Sequence, residues 1–237
     1  MKKLLILSIL FSTVFFSCAD EPEPEPEVIR AYCYFYHFIP TLGSVIWEVD
    51  DSEVPDEKLY ASQFLGSLQL ETATEEIVFT VKHAGTKEVL ISQLFQLEQD
   101  KYYTIVVHGS EDDPSLLIRE IDTSEPQSEQ VKFQVLHSAP LQNSIDVYVG
   151  GSTPDQRDVS DLAYLSLTDH FEVKDYDARA AIIVSAHSEE YNQDSVLISS
   201  IYNEEIASRA SYFSVLAPST YEPLSDLTLW IYILPLE

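Results

Sequence analysis

Residues 31–40 read Ala-Tyr-Cys-Tyr-Phe-Tyr-His-Phe-Ile-Pro, and residues 131–140 read Val-Lys-Phe-Gln-Val-Leu-His-Ser-Ala-Pro. Both stretches run into a His-x-x-Pro turn, and the second begins 100 residues after the first. Apolar side chains recur at every second position in both, which is the period of a β-strand with one buried face. The chain is therefore predicted to contain two copies of one strand-rich unit.

Further matches keep the same order along the chain. Residues 44–49 match 144–149, residues 89–92 match 196–199, and residues 102–106 match 212–216. The offset grows from 100 to 107 to 110, as longer loops in the second copy would require. Thr123 begins a short polar linker, 123–129, between the copies.

Each copy is predicted to hold seven short strands, a number typical of an immunoglobulin-like sandwich. The expected fold is all-β, with tandem immunoglobulin-like β-sandwiches at 28–124 and 125–237. The predicted strands are 29–38, 44–49, 59–65, 75–83, 88–96, 101–108 and 115–121 in the first copy, and 130–138, 144–149, 162–168, 178–187, 195–202, 210–217 and 226–234 in the second.

The N-terminus has the layout of a secretory signal peptide at 1–17. Lys2 and Lys3 precede an apolar run at 4–16, which is too short to span a bilayer as a helix. The Ser-Cys pair that ends at Cys18 resembles the lipobox of bacterial lipoproteins, although two phenylalanines stand where smaller or aliphatic residues are usual. This resemblance implies a lipidated Cys18 that anchors the protein in a membrane. A secretory signal without lipid, or an uncleaved anchor, is the alternative.

Residues 18–27 are predicted to form an acidic tether, because alternating Glu and Pro offers no apolar face. At about 3 Å per residue, the tether would hold the fold about 25–30 Å from the membrane surface. An acidic tract after a lipidated cysteine also resembles the surface-export signal of lipoproteins in some Gram-negative bacteria. The expected location is therefore the bacterial cell envelope, at the outer membrane, on its surface or its periplasmic face.

The composition limits the possible partners. Forty Asp and Glu against 13 Lys and Arg give a formal charge of −27, which repels nucleic acid and anionic headgroups. No nucleic-acid partner is expected. A hydrophobic content of 45% suffices for packed cores, so the acidity belongs to a folded surface.

Residues 144–151 of the second copy read Ser-Ile-Asp-Val-Tyr-Val-Gly-Gly. Together with 131–140, this stretch resembles the opening of the domain-of-unknown-function 4397 family, in which a His-Ala-Ser-Pro-like turn precedes an Asp-Val-Tyr-Val-Asp-Gly-like strand. The first copy keeps His37 and Pro40 but has Ile46 and Trp47 in place of the Asp-Val pair. The resemblance implies an exported β-sandwich protein of the cell envelope with no assigned chemistry.

Five aromatic residues form the candidate binding or interdomain surface: Tyr32, Tyr34, Tyr36, Trp230 and Tyr232. The tyrosines of the first strand point away from its core face, whereas the second copy has Lys132 and Gln134 there, predicted to be an ordinary solvated face. Two interpretations remain open. Another part of the chain covers these aromatic side chains, or they bind an external glycan or protein. The short linker favours two sandwiches packed as one rigid unit.

No sequence motif indicates catalysis, since the chain lacks a Gly-x-Ser-x-Gly elbow, a His-Glu-x-x-His helix and a phosphate-binding glycine loop. His37 and His137 are predicted to hold their turns, and Cys33 to be a small buried residue. The acidic clusters at 50–57, 111–113 and 155–161 lack calcium-loop spacing and are interpreted as solvated. No catalytic residue, metal ligand or cofactor is therefore predicted.

The predicted function is a non-catalytic cell-envelope lipoprotein that binds or spaces other components. One alternative is a carbohydrate-binding surface lipoprotein. The other is an exported hydrolase whose catalytic groups converge only in space.

Overall fold

The computed structural model describes residues 28–54, 63–140, 142–150, 157–174, 177–178, 181–188, 193–200, 209–218 and 227–236. The predicted signal peptide and tether at 1–27 lie outside this part of the chain. The strands of the first half are β1 (Ile29–His37), β2 (Val45–Val49), β3 (Ser52–Glu53), β4 (Gln63–Thr72), β5 (Glu76–His83), β6 (Val89–Gln96), β7 (Lys101–Gly109) and β8 (Pro114–Glu120). Those of the second half are β9 (Gln130–His137), β10 (Ser144–Val149), β11 (Arg157–Ala163), β12 (Phe171–Lys174), β13 (Ile182–Ala186), β14 (Val196–Ser200), β15 (Ser211–Pro218) and β16 (Leu227–Leu234).

The first sandwich packs sheet β4-β1-β7-β8 against sheet β3-β2-β5-β6. Its core holds the alternate residues of β1 that the sequence pattern predicts, together with Trp47 and Phe79. The Phe35 and Trp47 rings lie 5.0 Å apart between their centroids, so they fill the space between the sheets. Cys33 is fully buried in this core, and burial raises the pKa of its thiol to about 12, as expected of an inert structural residue.

The second sandwich repeats this topology strand for strand. Its sheets have the orders β12-β9-β15-β16 and β11-β10-β13-β14, so each strand matches the one eight places earlier. In both sandwiches the first strand pairs in parallel with the seventh, β1 with β7 and β9 with β15. The prediction of an all-β fold with sandwich domains is confirmed. Within the described residues, no helix is long and apolar enough to cross a membrane.

Several predicted strand positions were wrong. Each sandwich has eight described strands rather than seven, because β3 and β12, with two and four residues, are too short to show a period. β4 extends to residue 72 instead of ending at 65, and β11 covers 157–163 instead of 162–168. The prediction for β4 stopped early because Gly66 and Ser67 interrupt the apolar pattern, yet they continue the strand.

The equivalent histidines hold equivalent turns. In His37, Nδ1 accepts a hydrogen bond from the main-chain N–H of Ile39, and Nε2 donates to the carbonyl of Gly43 at 2.8 Å. His137 makes the same bonds to Ala139 and Gln142. Because Nδ1 must accept, the ring has to stay neutral with its proton on Nε2. Burial lowers the pKa of both histidines to about 4.

We expect the free energy of unfolding to fall as the pH drops from about 6.5 to about 4. His37, His137 and the buried His108 of β7 all have pKa values lowered to about 4 by burial, against 6.5 in the unfolded chain. In this window the unfolded chain binds protons that the folded chain does not, at about 1.4 kcal/mol per pH unit for each histidine. Above pH 6.5 these groups contribute no slope.

Urea unfolding at several pH values measures this slope. The variant His108→Leu distinguishes the loss of a titrating group from the loss of hydrogen bonds. The Nδ1 atom of His108 has no hydrogen-bond partner within the described part of the chain, so the substitution should flatten the slope without loss of stability at neutral pH. His37→Leu should flatten the slope to the same extent but lower stability at neutral pH, because two hydrogen bonds are lost. An unchanged slope in both variants would contradict the prediction.

Candidate functional site

An apolar interface joins the two sandwiches. The outward face of sheet β4-β1-β7-β8 meets the outward face of sheet β12-β9-β15-β16, and both contribute to one buried cluster. We call this cluster the interdomain interface; its buried apolar residues are Tyr36, Phe38, Val106, Ile121, Leu136, Phe213, Val215, Ala217 and Leu234. The residues come from both halves of the chain, so the interface excludes water between two domains that each have a core of their own.

Tyr36 lies at the centre of the contact. Its ring is fully buried, 5.3 Å from the ring of Phe213 and 4.8 Å from that of Tyr232. Burial raises the pKa of the Tyr36 hydroxyl, and the neighbouring Tyr232 and Tyr34 raise it further. Tyr34 and Trp230 are partly buried against the same cluster. Four of the five candidate aromatic residues therefore contact the interdomain interface.

Lys132 and Gln134 contradict the expectation of a solvated face. They are only 3% and 6% exposed, and they lie on the face of β9 whose Leu136 belongs to the interdomain interface. The Nζ atom of Lys132 donates to Asp122 Oδ2 at 2.7 Å and to the carbonyl and hydroxyl oxygens of Ser124 at 2.7 and 2.8 Å. Its charge is thus paired, as a buried lysine requires.

Asp122 and Ser124 connect the linker region to the second sandwich. Desolvation works to raise the pKa of Asp122, but hydrogen bonds from Lys132 and Ser124 outweigh it and hold the pKa at about 2. The carboxylate is therefore charged at any physiological pH. An ion pair to Lys132, beside the seven-residue linker, limits the rotation of one sandwich against the other.

Tyr32 lies at the margin of the interface, where it stacks on Tyr102. The ring centroids are 4.7 Å apart with an angle of 16° between the planes, and both side chains are partly exposed. A cavity of about 380 Å³ adjoins Tyr102. Its lining includes Asp100, Asp122 and Ser124, which offer hydrogen-bonding groups beside the stacked rings.

Cavities surround the end of the first sandwich where β1 begins. One, of about 350 Å³, lies between β3 and β4; we call it the β3–β4 groove. It shares Leu97 with a second cavity of about 500 Å³, which shares Gln99 with the cavity beside Tyr102. The charged residues that line the three are Asp50, Glu53, Glu71, Glu75, Glu98, Asp100, Lys101, Glu120 and Asp122. This end of the molecule is therefore concave and strongly acidic.

The sequence did not reveal these cavities, because their linings come from segments far apart in the chain. Asp50 was interpreted as part of a solvated acidic loop. It lines the β3–β4 groove, and its carboxylate also accepts a hydrogen bond from the main chain of Val78 at 2.8 Å. In the described part of the chain, no three His, Cys, Asp or Glu side chains are placed to hold a metal ion.

A histidine and two carboxylates meet on the outward face of β10. Asp146 is 1% exposed and accepts hydrogen bonds from His187 Nδ1 at 2.8 Å and from the main-chain N–H of Asp161 at 2.9 Å. Arg157 lies 3.6 Å from the same carboxylate and also donates to Tyr148 and Ser160. These bonds tie β11 and the residue that follows β13 to β10.

Residues 31–148 match the sequence model of the family described as Domain of unknown function (DUF4397). The matched segment contains the first sandwich from Ala31 onward, all of β9 and most of β10. A crystal structure of CBMbc, of family CBM26, from Eubacterium rectale Amy13K in complex with maltoheptaose is similar at 9% identity, with 85% of this chain and 96% of that chain covered and a TM-score of 0.25. No curated protein matches the sequence.

We expect Phe213→Ala to loosen the interdomain interface. The substitution leaves a cavity beside Tyr36 and should lower the free energy of unfolding by about 3–5 kcal/mol. Small-angle scattering of the variant should require a wider range of interdomain angles than the wild type. Tyr32→Ala is the control, since this ring lies at the margin and its removal should cost only about 1 kcal/mol. Unchanged scattering and stability in Phe213→Ala would show that the contact is dispensable.

Proposed function

We propose that this protein is a non-catalytic lipoprotein of the bacterial cell envelope, in which two sandwiches act as one rigid module that binds other molecules. The observation that supports this most is the burial of Tyr36 against Phe213 and Tyr232. A buried apolar interface between domains holds them at a fixed angle, as a spacer or a composite binding surface requires.

The proposal treats the second sandwich as a second domain of the same family, a tandem pair. Its support is the identical strand order of the two sandwiches and the equivalent hydrogen bonds of His37 and His137. The anchor is Cys18, and the tether at 18–27 leads into β1, which begins at Ile29. The module would thus be attached to the outer membrane through the start of its first strand.

We expect a palmitate analogue to label the wild-type protein in growing cells but not Cys18→Ala. Lipid transfer needs the Cys18 thiol, while Cys33 is buried and its thiol is protonated. Cys33→Ala is the matched control and should be labelled like the wild type. Equal labelling of wild type and Cys18→Ala would eliminate the anchor. Protease treatment of intact cells then distinguishes the surface from the periplasmic face.

Glycan binding is the second candidate, and the stacked pair Tyr32–Tyr102 supports it. Aromatic rings offer flat apolar faces to sugar rings, and neighbouring polar groups fix their hydroxyls. Tyr32 and Tyr102 are partly exposed, and the cavity beside them provides carboxylates and hydroxyls. Tyr102 packs against the interdomain interface, as Trp230 and Tyr232 do, but it also stacks on Tyr32 and lines the cavity.

On a glycan array, we expect Tyr102→Ala to bind any glycan that the wild type binds at least tenfold more weakly. The substitution removes half of the platform. Tyr164→Ala, a change at another partly exposed tyrosine, is the control and should bind normally. An array without signal, or a glycan whose affinity is equal in both variants, would reject this platform as a sugar site.

A further inference from the structure

We propose that the β3–β4 groove binds an extended basic peptide segment of a partner protein, which adds as a strand along the outer edge of β4. This inference deepens the proposed binding function and rests on it. It requires neither the lipid anchor nor the glycan platform.

The first support is the position of the groove between two sheet edges. β4 ends one sheet and β3 ends the other, on the same side of the sandwich. Within the described residues, no strand pairs with the edge of β4 that faces away from β1. A strand edge of this kind presents main-chain donors and acceptors, which an added strand satisfies.

The second support is the apolar floor of the groove. Leu68 and Leu70 of β4 face inward and are only partly buried, while Ile77 and Leu97 below them belong to the core. Alternate side chains of an added strand would point to this floor. Residues 68–72 of β4 line the groove, so about five residues of an extended segment, roughly 17 Å, would fit.

The third support is charge. Every charged residue that lines the groove is a carboxylate: Asp50, Glu53 and Glu71. Glu71 pairs with Arg30 and Glu53 with Lys87, each at 3.1 Å, but both pairs are more than half exposed on either side and so hold their partners weakly. Lysine or arginine at the outward positions of a bound segment would replace Arg30 and Lys87 as the partners of Glu71 and Glu53. The net negative charge of the whole chain would also attract such a segment.

The second sandwich is covered more fully at the equivalent place. β11 has seven residues where β3 has two, and its Leu162 is 8% exposed and joins the core. Val173, which pairs with Val131 as Leu70 pairs with Ala31, is also 8% exposed. Among the residues that the structure describes, β3 is too short to cover this place, which leaves an apolar groove in the first sandwich.

The test uses a labelled probe peptide, Lys-Val-Lys-Val-Lys-Val-Lys, and fluorescence anisotropy on the folded chain 18–237 at 150 mM salt. The block peptide Lys-Lys-Lys-Lys-Val-Val-Val has the same composition and charge but cannot alternate. We expect the alternating peptide to bind at least tenfold more tightly. Leu70→Lys should weaken its binding at least tenfold, whereas Leu94→Lys, the same change at a 61% exposed position on β6, should change it less than twofold.

Hydrogen exchange of the wild type gives an independent result if Leu70→Lys does not fold. With the alternating peptide bound, the amides of residues 68–72 should gain protection, while those of β6 should not. Equal binding of the two peptides would mean non-specific attraction to an acidic protein and would overturn the proposal. Protection that appears elsewhere would also overturn it. Neither result would affect the anchor or the glycan platform, which have separate tests.

Discussion

Strand β9 and the C-terminal half of β1 are buried on both faces, and the rest of the structure depends on this constraint. One face of each strand belongs to the core of its own sandwich, and the other belongs to the interdomain interface. Strands with two covered faces are usual in the middle of layered folds but not in an isolated antiparallel sandwich, where one face meets water. The two sandwiches therefore form four layers of sheet with three buried contacts between them.

This double burial explains the outward residues of β1 and β9. Tyr36 fills the centre of the interface because its aromatic ring covers a large apolar area against Phe213 and Tyr232. On β9, Lys132 occupies the equivalent face. Asp122 neutralises its charge, and Ser124 accepts its other hydrogen bonds. The contact thus combines an apolar centre with one satisfied charge near the linker.

The sequence predicted what depends on local period and repetition. The core faces of β1 and β9, the turns held by His37 and His137, and the burial of Cys33 all follow from alternation or from the match between the copies. Lys132 and Gln134 were assigned to solvent because a polar residue at every second position has the pattern of a wet face. The outward tyrosines of β1 and the short linker indicated an interface on the first sandwich, but nothing local to β9 showed that its polar face meets it.

The candidate sites also form from segments that are far apart in the sequence. The β3–β4 groove combines residues from β2 to β5 with Leu97, and it exists because β3 is short, which no period in the sequence indicates. The stacked Tyr32 and Tyr102 come from β1 and β7, which are far apart in the sequence and become neighbours only through their parallel pairing. The two copies have one topology and differ in edges and outward faces, so binding functions can differ between them without a change of fold.

The location of these sites at the start of β1 has a consequence for the proposed anchor. The tether enters at this end, so with Cys18 in lipid the acidic cavities would face the membrane. A separation of about 25–30 Å is about three Debye lengths at physiological ionic strength, so salt would screen the cavities from anionic headgroups. In the proposed arrangement, the alternating Glu-Pro tether would then have a physical role beyond display. It would hold a strongly acidic end far enough from the bilayer that repulsion does not oppose anchoring, and it would leave room for a basic segment to enter from the side.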